Sequence, residues 1–69
     1  MMLKDVLNNF KGQPFKLDFD GGIAILKFNG GQWEREVIAE VGEDFIAIDS
    51  TGPIKKYIVP LQQIRIEIV

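Results

Sequence analysis

Val37-Ile-Ala-Glu-Val-Gly-Glu-Asp-Phe45-Ile-Ala-Ile-Asp-Ser50, followed after a short join by Lys55-Lys-Tyr-Ile-Val-Pro60-Leu-Gln-Gln-Ile-Arg65-Ile-Glu-Ile-Val69, decides the fold. It reads as four short strands joined by tight turns. Ile64, Ile66 and Ile68 alternate with Arg65 and Glu67, so the isoleucines share one face and the charges the other. Phe45–Ile48 is too short and too β-branched for a helix and is apolar on both faces, which predicts a central strand covered on both sides. Gly42-Glu43-Asp44 is a hairpin-length join to Val37–Val41, and Ser50-Thr51-Gly52-Pro53 punctuates the next one. Tyr57-Ile58-Val59 stops at Pro60, which has no N–H to give a ladder. Leu61-Gln62-Gln63 has the length of one 3₁₀ turn, entered by that proline.

The order of strand, proline-led 3₁₀ turn and isoleucine-alternating strand resembles the last two strands of Src-homology-3-like and Sm-like small barrels. The resemblance implies a mainly all-β fold: a short N-terminal α-helix, then a five- to six-stranded, strongly bent antiparallel barrel. One domain over residues 1–69 is predicted, with the helix in 1–12 and the barrel in 14–69. Sm-like rings pair strands edge to edge between subunits. The resemblance therefore implies an oligomer seam at Tyr57, Ile58, Val59, Ile64, Ile66 and Ile68.

Earlier in the chain, Leu3, Val6, Leu7 and Phe10 lie on one helical face, Gly12 suits the residue after a helix, and Pro14 forbids continuation. So short a helix is marginal in water, which predicts that its stripe docks on the barrel. Phe15, Leu17 and Phe19 alternate with Lys16 and Asp18, Asp20-Gly21-Gly22 signals a turn, and Ile23–Phe28 is the next strand. Phe15–Phe28 is thus either one bent strand or an added hairpin. Asn29-Gly30 is the strongest hairpin signal, predicting a type I′ turn with both residues at positive φ.

At 69 residues and 46% hydrophobic, with no cysteine, the chain has a heavy apolar load and no disulfide to supplement a small core. Homo-oligomerisation is the expected remedy. A net charge of −2 argues against a dominant phosphate-binding role. The N-terminus lacks the apolar core of a signal peptide and no run is long enough to span a membrane, so a soluble, cytoplasmic chain is expected.

Without histidine or cysteine, serine–histidine and cysteine–histidine catalysis are impossible. Ser50 is the only serine and falls in a turn. Asp18 with Asp20, and Glu43 with Asp44, read as solvated surface charge. Asp18-Phe19-Asp20-Gly21-Gly22 lacks the later ligands of a calcium loop. No enzyme activity, cofactor, metal or small-molecule ligand is therefore expected.

Lys55, Lys56 and Tyr57, with Arg65, form the one basic-plus-aromatic cluster. In Sm-like proteins such residues bind single-stranded RNA. The resemblance sets Phe45 where those proteins place an RNA-stacking aromatic. Gln62-Gln63 replaces the family's Arg-Gly pair, and the lysine–histidine pair of one branch has no counterpart. Lys55 and Lys56 read better as charges defending an edge strand. Trp33 either meets a partner or caps one end of its own barrel. The expected function is a non-enzymatic, homo-oligomeric assembly or protein-interaction module, with RNA binding as the rival.

Overall fold

A computed structural model describes residues 2–69. The helix forms where the apolar stripe places it, as α1 (Leu3–Asn9). Leu7 is fully buried, and the Phe10 ring lies 4.3 Å from that of Phe28. Docking therefore holds a helix too short to persist alone. Gly12, at φ 83, turns the chain and donates its N–H to the Ile38 carbonyl at 3.2 Å.

β1 (Lys16–Asp20) and β2 (Ile23–Phe28) form an antiparallel hairpin. Its turn residues, Gly21 and Gly22, both have positive φ (59 and 85), as a type I′ turn requires. Phe15–Phe28 is thus a hairpin and not one bent strand. β3 (Glu36–Val41), β4 (Phe45–Ser50) and β5 (Lys56–Pro60) make an antiparallel meander with β4 in the centre, as its apolar faces predict. Pro60 caps η1 (Leu61–Gln63), a 3₁₀ turn leading into β6 (Ile64–Ile68).

The closed barrel does not form. The strands divide into two three-stranded sheets, β1-β2-β6 and β3-β4-β5. β6 lies parallel to β2, whereas an all-antiparallel barrel was expected. Alternation tells which way a side chain faces; it does not tell which strand lies alongside. The Asn29-Gly30 hairpin is also absent, because β2 and β3 belong to different sheets and residues 29–35 cross between them. Asn29 (φ 66) and Gly31 (φ 79) take the left-handed conformation there, and Gly30 does not.

Leu26 and Phe28 from one sheet meet Ile38, Ile46 and Ile48 from the other, with Leu7, Phe15 and Val59 completing the core. Among the described residues a single bridge joins the sheets: Phe15 and Glu36 exchange N–H···O bonds of 2.8 and 3.1 Å. Glu36 is itself buried, and its carboxylate accepts the Leu17 N–H at 3.1 Å and the Ser50 hydroxyl at 2.7 Å. Ser50 Oγ in turn accepts the Gly52 N–H at 3.0 Å. From this bridge β1 runs across the second sheet until the Phe19 ring lies 5.8 Å from Tyr57 on β5.

Glu36→Ala strands the Leu17 N–H and the Ser50 hydroxyl, and is expected to cost about 1–3 kcal/mol in urea unfolding. Glu36→Gln keeps an acceptor for Leu17 and should cost less. Gly42 has the Phe45 ring folded over it, so a Cβ there would overlap the ring. Gly42→Ala should lose about 1–3 kcal/mol, while Gly30→Ala, with open space around it, should stay within about 0.5 kcal/mol.

Candidate functional site

Two strand edges are left open, and the hydrogen-bond phase of each strand shows what they offer. Along β5, the Lys55 carbonyl accepts from Ser50 and the Leu61 N–H donates to Asp44. Odd-numbered backbone groups therefore face β4, and those of Lys56, Ile58 and Pro60 face outward. Along β6, the Val69 N–H donates to the Phe28 carbonyl, so Arg65, Glu67 and Val69 face β2. The N–H and C=O groups of Ile64, Ile66 and Ile68 point away from the sheet.

The other two edges are partly covered. Glu36 on β3 is bonded to Phe15, and Ile38 accepts from Gly12. On β1, Leu17 gives its N–H to the Glu36 carboxylate.

The residues expected at the seam divide by side chain. Val59 is buried in the core, and Tyr57, Ile64 and Ile66 pack half-buried against it. Ile58 and Ile68 are 61% and 60% exposed. Trp33 is 68% exposed, so it caps nothing. At φ 62 it holds a left-handed conformation that costs a bulky residue about 1–2 kcal/mol.

The nucleic-acid residues do not converge. Phe45 lies opposite Pro60 and Lys56 opposite Asp49, at different ends of β4 and roughly 13 Å apart by strand rise. The Phe45 ring covers Gly42. Lys56 is paired with Asp49 at 3.0 Å, and Arg65, on the other sheet, with Glu67 at 3.2 Å. Tyr57 faces the core side, beside Phe19. Lys55 is exposed in the loop before β5.

An open groove of about 400 Å³ lies between the start of α1 and the β3–β4 turn, lined by Met2, Leu3 and Leu61. Lys4 and Glu43 pair across it at 3.1 Å. Sequence reading missed Glu36, because one glutamate among Glu34, Arg35 and Glu36 carries no mark of burial. Among the described residues no helix is long and apolar enough to cross a membrane.

The chain matches no family model, no curated protein and no solved structure.

With its cations dispersed, the protein should bind single-stranded RNA more weakly than micromolar at about 0.1 M salt. Fluorescence anisotropy showing submicromolar affinity that Lys55→Glu or Lys56→Glu abolishes would overturn this.

Proposed function

We propose that this chain is a non-enzymatic assembly module that joins further copies of itself by strand addition at its open sheet edges. The observation that carries the reading is the pair of outward-facing backbone rows on β5 and β6. An open edge is a template for another strand. Exposed Ile58, Ile68 and Val69 lie on or beside these rows. Association would also shelter apolar surface that so small a domain hides poorly.

Three of the polar groups that could suggest chemistry, Ser50, Glu36 and Asp18, have structural partners. The Ser50 hydroxyl and the Glu36 carboxylate satisfy each other, and Asp18 is held by Lys27 at 3.2 Å and Lys16 at 3.8 Å. RNA binding remains the rival reading, and no observation favours it.

Light scattering at micromolar concentration should give a multiple of the 7.8 kDa chain mass; a well-folded monomer overturns the proposal. Ile58→Pro and Ile68→Pro each delete a donor from a free edge without breaking an internal ladder bond. At least one should lower the native mass while the β signal in circular dichroism persists. If neither does, assembly does not use these edges.

A further inference from the structure

We propose that β6 pairs with β6 of a second copy, antiparallel and centred on Ile66, to make a closed two-fold dimer. This rests on the assembly reading above and names its seam. Four observations converge on it.

The first is the phase. Ile64, Ile66 and Ile68 each present both an N–H and a C=O at the edge. An antiparallel pairing centred on Ile66 sets Ile66 against the partner's Ile66, and Ile64 against the partner's Ile68. All of these are hydrogen-bonded pairs, so the edge is complementary to itself. The β5 edge is not. Centred on Ile58, it would set Lys56 opposite the partner's Pro60, which has no N–H to give.

The second is charge. The same register puts Arg65 opposite the partner's Glu67, and Glu67 opposite the partner's Arg65. These are non-hydrogen-bonded pairs, where side chains stand closest and opposite charges attract. Arg65 and Glu67 already share the outer face, where they bond each other at 3.2 Å.

The third is burial. Ile68 is 60% exposed at the end of a row whose other members, Ile64 and Ile66, pack on the core. The pairing lays it beside the partner's Ile64, on the same face. The fourth concerns the alternative seam. Antiparallel pairing of β5 with β6 would continue the core-facing isoleucine row into the solvent face that carries Ile58. The isologous seam keeps core face with core face and closes on itself, as most soluble assemblies do.

Charge reversal tests the register. Arg65→Glu and Glu67→Arg each turn both attractive pairs of the seam repulsive, and should weaken self-association about tenfold or more. An equimolar mixture of the two variants restores opposite charges at every pair, so it should form a heterodimer. Sedimentation should show a parent of twice the 7.8 kDa chain mass, lighter single variants and recovery of the dimer on mixing. A purely structural role for the Arg65–Glu67 ion pair would not produce recovery between chains. An oligomer whose mass neither variant changes, or variants that stay apart on mixing, overturns this seam and leaves the assembly reading standing. A monomeric parent overturns both.

Discussion

The buried carboxylate of Glu36 is the constraint on which the arrangement of the two sheets depends. Its backbone exchanges hydrogen bonds with Phe15, its side chain receives the Leu17 N–H, and Ser50 holds its second oxygen. The sheets meet through a ladder bond nowhere else among the described residues. A carboxylate in so apolar a place is tolerable only with donors on both oxygens. Those donors come from β1 and the end of β4, so the requirement fixes where β1 starts relative to the second sheet. From there its course to Tyr57 follows, and so does the covering of the β3 edge.

The same clasp explains why the molecule has unpaired edges. A sheet closed into a barrel has none, whereas two sheets joined at one corner must leave several. On the outer surface of the first sheet an apolar residue is buried without a further layer. Ile25 points outward from β2 yet is only 5% exposed, between Asp18 on β1 and Arg65 on β6. Lys16, Lys27 and Asp18 form a cross-strand charge group on that face, with Arg65 and Glu67 beside it. Such surface pairs contribute little individually. The register sets Arg65 beside Ile25, with Lys16 and Lys27 on the same face, where long aliphatic stems can shelter an apolar neighbour.

Much of the local structure was legible, because it follows from period and from proline and glycine. The isoleucine alternation gave β6, the stripe Leu3, Val6, Leu7 and Phe10 gave α1, and Pro60 before Leu61-Gln62-Gln63 gave the 3₁₀ turn. Phe45–Ile48 read correctly as a central strand. The barrel did not follow, because no local pattern says that β6 will lie parallel to β2. Asn29-Gly30 misled for a related reason. Asn29 does adopt positive φ, but a turn conformation makes a hairpin only when the flanking strands pair. Alternation was enough to single out Ile58, Ile64, Ile66 and Ile68, but hydrogen-bond phase, which decides what an edge can bind, exists only once partners are known.

Phase also makes the two open edges unequal. On β5 the outward groups are those of Lys56, Ile58 and Pro60, and the Lys56 side chain is in an ion pair with Asp49. Proline and lysine are the usual means of blunting an edge. On β6 the outward positions are all isoleucines, with no proline among them, and Arg65 and Glu67 carry opposite signs, so they do not repel an identical strand. Had both been lysine, a second copy would meet like charge at every register. Opposite charges two residues apart instead single out the register that centres Ile66. The edge least defended against a neighbour is thus the one whose charge pattern would discriminate between registers of an identical strand.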